Sequence, residues 1–191
     1  SGKQGHAIAA ALAGMGAETI LVTGPTSEAA PPGVEVHHIE SAREMYDACM
    51  SALPADIAVC AAAVADWRCA ETAGEKIKKI NGQQTPTLAL VENPDILETL
   101  SEAGPKRPKI VVGFAAETNE VIENAQTKKA RKKCDWIVAN DISAETGILG
   151  GNENTVTLIS AEGVEDWPKL PKQAVAERLA QRIAQSLETT K

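Results

Sequence analysis

Short apolar runs alternate with amphipathic segments along most of the chain. The apolar runs are rich in Val, Ile and Ala, which favours β-strands, and several are preceded by segments with helical character. The predicted strands are 19–22, 34–39, 57–64, 87–91, 109–114 and 135–139. The run at 57–64 is almost wholly apolar, as expected of a central strand buried on both faces. Strands, helices and short connections in this order predict parallel crossovers within one sheet.

Helix boundaries are indicated by caps and breakers. Ser41 and Glu44 have capping-box spacing, Pro94 suits the first position of a helix, and Lys and Arg residues crowd the last turns of 118–133. The predicted helices are 6–15, 41–53, 93–100, 118–133 and 172–187. The last of these carries an apolar stripe that should face the sheet, formed by Val175, Leu179, Ile183 and Leu187.

After residue 140 the alternation stops. The segment 148–159 combines a Gly-Gly-Asn turn with a β-branched run, which predicts an antiparallel hairpin at the sheet edge. The stretch 67–84 is polar, Lys-rich and glycine-punctuated, so we expect an exposed loop. With no internal repeat, residues 1–191 are expected to form a single three-layer α/β domain with a mostly parallel sheet.

Composition narrows the class of protein. The chain has 191 residues, of which 43% are apolar, 24% charged and only 3% aromatic, so the core must be built from Ala, Val, Ile and Leu. The net charge of −7 argues against a nucleic-acid partner. The four cysteines lack CxxC spacing, so we expect reduced thiols and a cytoplasmic location. No apolar run reaches the roughly 18 residues of a membrane span, so we expect no membrane partner.

Small or polar residues follow several predicted strands. They occupy 23–25, 63–66, 114–118 and 139–141. Ligands of open parallel sheets bind in the crevice beyond the carboxyl ends of the strands, so these four segments predict a shared pocket there. Each segment taken singly is as well explained as an ordinary cap or turn.

Three clusters could supply the chemistry of such a pocket. Ser1-Gly2-Lys3-Gln4-Gly5 opens a helix and could hold an anion, although a plain helix cap explains it equally well. Asp66 ends a strand of small residues that would let a base or ribose approach, and the lysines of 76–79 follow in a glycine-flanked segment that could cover phosphates or remain solvated. Lys128 and Lys132 lie four residues apart, hence on one helix face, where an anionic ligand or simply the helix dipole would favour them.

Together these motifs resemble one enzyme family. The sequence contains SGKQG, AAAVADWR, KIKK, ENPDIL, VGFAAET, RKKCDWIVAND and NENTVTLI in that order. They resemble the CTP-dependent phosphopantothenate–cysteine ligase family, the C-terminal domain of the bifunctional coenzyme A biosynthesis protein. The resemblance implies a Rossmann-like fold and Mg²⁺ as cofactor, with metal ligands unknown. It also implies that 4′-phosphopantothenate reacts with CTP to an acyl-cytidylate, which cysteine converts to the amide.

The resemblance also implies roles for individual residues. Lys76 is expected to matter most for turnover, Phe114 to pack near the nucleotide, and Lys128 and Lys132 to bind phosphates. The full set of residues expected to bind CTP is Cys60, Ala61, Ala62, Asp66, Lys76, Asn93, Pro94, Asp95, Ile96, Phe114, Lys128 and Lys132.

Members of this family carry a strand and a glycine-proline turn before the motif that stands here at Ser1, so we expect the sheet of residues 1–191 to be incomplete. A homodimer is expected, as is a flavin decarboxylase domain fused in the intact protein, with no FMN bound by these residues.

Two other functions remain open at this point. An NAD(P)-dependent oxidoreductase would share the fold but should show a GxGxxG turn, and Gly14-x-Gly16 ends a helix instead of opening one. A non-catalytic nucleotide-binding module is the second alternative, because a fold does not prove an activity.

Overall fold

The computed structural model describes residues 1–71, 87–141 and 151–189. The helices are α1 (Lys3–Gly14), α2 (Ala42–Ser51), α3 (Ile96–Ser101), α4 (Val121–Lys132) and α5 (Lys172–Thr189), with a short 3-10 turn at Gly104–Lys106. The strands are β1 (Thr19–Thr23), β2 (Val34–His38), β3 (Ile57–Cys60), β4 (Trp67–Cys69), β5 (Leu90–Glu92), β6 (Ile110–Glu117), β7 (Trp136–Asp141), β8 (Glu153–Asn154), β9 (Val156–Ile159), β10 (Val164–Asp166) and β11 (Leu170–Pro171).

A five-stranded sheet in the order β10-β9-β7-β6-β3 forms the centre of the molecule. Strands β3, β6 and β7 are parallel to one another, whereas β9 and β10 are antiparallel. The predicted α/β class with a C-terminal antiparallel hairpin is therefore confirmed. The observed hairpin joins β9 and β10 by a turn at 160–163, where Ser160 N donates to Gly163 O at 2.9 Å. It lies later than the predicted span 148–159, of which residues 148–150 fall outside the described residues. Gly163 has a φ of 136°, a conformation that glycine adopts without steric cost.

Helices cover both faces of this sheet and complete three layers. On one face α1 and α5 pack against each other and against side chains of β3, β6, β7 and β9. On the other face α2, α3 and α4 cover the alternate side chains of the same strands. The predicted stripe of α5 is confirmed, because Val175, Leu179 and Ile183 are almost completely buried and Leu187 packs beside them.

The N-terminal strands do not join this sheet as the single-sheet prediction required. Strands β1 and β2 form a separate parallel pair, and the outer edge of β3 pairs with no strand within the described residues. The same helices nevertheless bridge the two pieces. Helix α1 packs on β1 and shares one hydrophobic cluster with Ile57 and Val59 of β3, while α2 lies in one cluster with Val22 of β1 and Ala58 of β3.

The chain leaves the sheet earlier after β3 than its apolar sequence predicts. The predicted strand 57–64 ends at Cys60 and is only half-buried, because one of its edges has no strand partner in the described part of the chain. The start of the predicted loop 67–84 is strand β4, which pairs with β5 in a two-stranded antiparallel ribbon. The predicted strand 87–91 is observed as β5, shifted towards Glu92, and the rest of the loop prediction, 72–84, falls outside the described residues.

Candidate functional site

The carboxyl ends of three parallel strands meet at one edge of the central sheet. The pairing of Cys60 with Gly113 brings the end of β3 beside the middle of β6, and β6 continues beyond it to Glu117. Residues 61–66 leave β3 at this step in the edge, with Ala62 and Asp66 exposed to solvent. Ligands of parallel α/β sheets bind beyond the carboxyl ends of the strands, so this step is the candidate ligand crevice.

Asn93 ties the segment after β3 to the segment after β5. Its backbone N–H donates to Asp66 O at 2.8 Å, and its side-chain Nδ2 donates to Ala65 O at 2.9 Å. Arg68 adds a hydrogen bond to Glu92 O and a longer one, 3.4 Å, to Asn93 Oδ1. The predicted site residues Asp66 and Asn93 are thus in direct contact. Arg68 was not among the predicted site residues, although it ends the AAAVADWR motif.

Asp95 links α3 to α4 through its two carboxylate oxygens. Oδ1 accepts a hydrogen bond from Glu98 N at 3.0 Å and caps α3, while Oδ2 forms an ion pair with Lys132 of α4. Glu98 Oε2 lies 3.3 Å from the same ammonium group. Burial alone would raise the pKa of Asp95, but the Lys132 ammonium and the Glu98 amide outweigh it and leave the pKa lowered. The sequence signal that would have identified Glu98 is its place three residues after the capping Asp95.

Lys128 reaches the sheet one helical turn before Lys132. Its ammonium group donates to the carbonyl oxygen of Phe114 at 2.8 Å, so α4 is tied to β6 at the level of the crevice. The Phe114 ring is half-buried and packs on the α1/α5 face together with Ala61. Cys60 and Ile96 instead pack on the α2/α3/α4 face, so the predicted nucleotide-binding residues straddle the sheet edge.

The surroundings of the Cys60 thiol disfavour its thiolate form. Burial raises its pKa to about 12, and the neighbouring Cys49, Cys134 and Asp95 add to the shift. A thiol with this pKa is protonated at neutral pH and is a poor nucleophile. Cys60 therefore suits the wall of a pocket, as does Ile96, whose side chain belongs to the core and is 8% exposed. Pro94, which lies between Asn93 and Asp95 in sequence, is half-buried.

The N-terminus of α1 has the tight geometry that its glycine suggested. Gly2 has a φ of 74° and a Cβ built on it would lie 2.8 Å from Thr26 Oγ1, so the residue must be glycine for this loop to close over the helix. The Lys3 ammonium donates to Asn152 Oδ1 at 2.8 Å. This geometry fits a simple N-terminal cap of α1. Anion binding by residues 1–5 stays a prediction.

Lys76 falls outside the described residues. Among the other predicted site residues, the structure shows three direct contacts: Asn93 with Asp66, Asp95 with Lys132, and Lys128 with Phe114. The remaining predicted residues are Cys60, Ala61, Ala62, Pro94 and Ile96, which lie in the same two chain segments, 60–66 and 93–96. Within the described ranges no group of three or more His, Cys, Asp or Glu side chains could hold a metal ion. Mg²⁺ commonly needs only one or two carboxylates beside substrate phosphates, and the exposed Asp66 carboxylate fits that requirement.

Fold and site define a three-layer α/β domain with a ligand crevice at the carboxyl edge of its parallel strands. Comparison with known proteins specifies this class further. Residues 1–187 match the family described as DNA/pantothenate metabolism flavoprotein C-terminal domain. The chain belongs to this family, which confirms the membership indicated by its motifs.

Relatives in the family are larger proteins. The chain is 40% identical over 184 residues to the coenzyme A biosynthesis bifunctional protein CoaBC of Vibrio vulnificus (strain YJ016), and 41% identical over 185 residues to that of Escherichia coli (strain K12). Each alignment covers 96% of this chain but only 46% and 45% of the relative. The chain thus spans somewhat less than half the length of these relatives.

Solved structures agree with this assignment. The crystal structure of the C-terminal domain of CoaBC superposes with a TM-score of 0.80 at 35% identity and covers 99% of this chain and 84% of that one. A Cab2 variant in complex with phosphopantothenate-cysteine shares the fold, with a TM-score of 0.59 at 16% identity over 83% of this chain and 55% of that one. None of the helices in the described residues has the length and apolar character needed to cross a membrane.

Proposed function

We propose that this chain is the ligase domain that joins 4′-phosphopantothenate to cysteine with CTP in coenzyme A biosynthesis. Family membership with the C-terminal domain of CoaBC supports the proposal. The observation that carries it is the contact between Asn93 and the segment 65–66, which assembles two motifs of the family at the carboxyl edge of the sheet. We further propose that the intact protein carries a fused flavoprotein domain, because the relatives are bifunctional proteins of about twice this length.

The proposed reaction has two steps. The carboxylate oxygen of 4′-phosphopantothenate attacks the α-phosphorus of CTP, pyrophosphate leaves, and an acyl-cytidylate forms. The cysteine amine then attacks the acyl carbon, loses a proton and expels CMP, which leaves the amide. A free carboxylate is a poor acylating agent, so the first step supplies the leaving group that the second requires. Mg²⁺ bound to the phosphates would neutralise their charge during this transfer.

The residues around the crevice suit a nucleotide. Ala61 and Ala62 leave room beside the end of β3 for a flat base, and the exposed Asp66 carboxylate can accept hydrogen bonds from base or ribose. The Lys128 ammonium lies on the α4 side of the same edge. Lys76 is proposed to stabilise the charge that builds during transfer, on the strength of the family resemblance.

Replacing Asp66 with alanine should weaken CTP affinity about 10-fold or more, because an acceptor of nucleotide hydrogen bonds is lost. Isothermal calorimetry with CTP measures this directly. Asp56→Ala is the matched control, since Asp56 is an exposed aspartate whose carboxylate pairs with Lys109 at 2.8 Å. Equal CTP affinity in the Asp66→Ala and parent proteins would contradict the assignment of Asp66.

A homodimer is also proposed, and the β4–β5 ribbon is the surface that suits it. Partners in the antiparallel register share a face, so Trp67, Cys69 and Leu90 lie on one face, with Glu92 opposite Trp67 at its end, and Trp67 and Leu90 are each 55% exposed. Leu88, two residues before Leu90, is 63% exposed. Large apolar side chains clustered on a two-stranded ribbon favour contact with another chain over solvent.

Leu90→Glu should therefore shift the protein towards monomer by at least about 10-fold in dissociation constant, because a charge would be buried in the interface. Light scattering across a concentration series, with circular dichroism to verify folding, measures the shift. Val164→Glu changes an exposed apolar strand residue elsewhere and should leave the dimer intact. A parent protein that is only monomeric would contradict the dimer proposal. A Leu90→Glu variant that dimerises as tightly as the parent would exclude the ribbon as the interface.

A further inference from the structure

The side-chain carboxamide of Asn93 has a defined orientation in the wall of the crevice. Its Nδ2 donates to Ala65 O at 2.9 Å, and its Oδ1 accepts from Arg68 Nη1 at 3.4 Å. A carbonyl oxygen only accepts hydrogen bonds and a guanidinium group only donates them, so these two partners distinguish the two ends of the carboxamide. The NH2 end therefore faces the segment after β3, and the oxygen end faces β4.

The main chain of Asn93 is held by other contacts. Asn93 N donates to Asp66 O at 2.8 Å, one residue beyond the pair formed by Trp67 and Glu92, so the β4–β5 ladder continues into the crevice. This backbone bond places residue 93 without help from the Arg68 side chain. The Arg68 guanidinium therefore contributes mainly the direction of the Asn93 side chain.

Arg68 is itself fixed by the end of β5. The same Nη1 donates to Glu92 O, the carbonyl that directly precedes Asn93, and the side chain is half-buried. Successive residues of a strand point to opposite faces, so Arg68 does not belong to the ribbon face that carries Trp67 and Cys69. A change at Arg68 therefore leaves the apolar side chains of the proposed dimer surface in place.

We propose that Arg68 is a positioning residue that sets the orientation of the Asn93 carboxamide for nucleotide binding. The assignment rests on the proposed function, since Asn93 is expected to bind CTP. Without the guanidinium, Oδ1 loses its donor and the carboxamide can rotate. Ordering a side chain that is free before binding costs conformational entropy, which lowers the affinity for the nucleotide.

The orientation of Asn93 can be measured without nucleotide. Asparagine labelled with ¹⁵N in its side chain gives an NH2 signal by NMR for each asparagine, and the Asn93 signal is identified by its loss in Asn93→Ala. In the parent protein one of its two protons should exchange slowly with solvent, because it is bonded to Ala65 O. In Arg68→Met the signal should move to the position and the fast exchange of an exposed asparagine.

Binding and turnover of the same variant separate positioning from chemistry. Arg68→Met should weaken CTP binding about 5-fold or more in calorimetry, because the Asn93 hydrogen bond is no longer pre-arranged. The KM for CTP in pyrophosphate release should rise by a similar factor. The kcat should stay within about 2-fold, because saturating CTP restores the orientation, and the thermal midpoint should hardly change. Lys109→Met removes a positive charge at the opposite edge of the sheet and should leave all four quantities unchanged.

Arg68→Lys keeps the charge but replaces the planar guanidinium by a compact ammonium group, and it decides whether charge or orientation matters. The CTP affinity of this variant should follow its Asn93 signal: restored if the carboxamide is fixed, and lost if it is free.

Either mismatch would overturn the proposal, because CTP affinity regained with a free carboxamide, or lost with a fixed one, would make Arg68 a direct ligand of the nucleotide. An Asn93 signal that is the same in Arg68→Met and the parent would also overturn it. This last measurement needs no CTP, so it still tests the orienting role if the parent binds no CTP and the proposed function fails.

Discussion

Lys76→Ala should lower turnover by on the order of 100-fold or more while CTP affinity stays within a few-fold of the parent value. The expected pattern follows from a charge that acts on the transition state and contributes little to the bound ground state. Single-turnover pyrophosphate release gives the rate, and calorimetry with CTP gives the affinity. Loss of the rate without loss of binding would assign Lys76 to the chemical step.

Two further variants make this experiment specific. Lys109→Ala removes an exposed lysine just before the amino end of β6, at the opposite edge of the sheet from the crevice, and should leave the rate unchanged. Lys76→Arg keeps the charge but changes the donor geometry, and should recover only part of the rate. An unchanged rate in Lys76→Ala would remove the KIKK segment from the mechanism, and a loss of CTP affinity equal to the loss of rate would make Lys76 a ground-state ligand.

Leu179→Ala should lower the free energy of unfolding by about 2–5 kcal/mol, the largest stability effect expected of a single truncation in α5. Leu179 is completely buried between α5 and the central sheet, in one cluster with Val112, Val138 and Leu158. Alanine keeps the helix propensity, so the loss comes from the removed side chain and the cavity it leaves. Denaturant unfolding followed by circular dichroism measures the change.

The control is on the same helix. Gln181→Ala shortens an exposed side chain two residues away and should change stability by less than about 0.5 kcal/mol. If the two variants unfold at the same denaturant concentration, α5 does not cover the sheet as described.

The α5 packing also shows what the sequence could predict. The spacing of four residues from Val175 to Leu179 and again to Ile183 is sufficient to assign a helix and the face that it buries. The apolar runs of β6 and β7 were equally informative, because both strands are buried by helices on two faces. Patterns that repeat over one element report the local environment of that element.

Features that depend on distant partners were predicted less well. The end of β3 at Cys60 could not be read from an apolar run that continues to Val64, because a strand ends where its pairing ends and Cys60 is the last residue of β3 that pairs with β6. The separation of the β1–β2 pair from the central sheet depends on strand pairing between distant parts of the chain, which the pattern within one strand does not report. The β9–β10 hairpin was placed too early, because the glycine pair at 150–151 is a stronger turn signal than the observed turn at 160–163.

In the candidate site, too, the residues were predictable from local motifs, whereas the contacts between them were not. Motifs identified Asp66, Asn93, Asp95 and the two lysines of α4, since each belongs to a recognisable stretch. The ion pair between Lys132 and Asp95, and the role of Arg68 at the ribbon, required the fold that brings them together. Similar spacing therefore predicts similar roles for Lys128 and Lys132, although the structure gives their ammonium groups different partners.

The most direct test of the proposed function is pyrophosphate release with CTP, Mg²⁺ and 4′-phosphopantothenate, measured with and without cysteine and repeated with ATP. The ligase proposal predicts release with CTP but not with ATP, and amide product only after cysteine is added. Calorimetry with CTP and with NADPH on the same preparation separates the remaining possibilities. CTP binding without pyrophosphate release would contradict the ligase in favour of a binding module, and NADPH binding without CTP binding would contradict it in favour of an oxidoreductase.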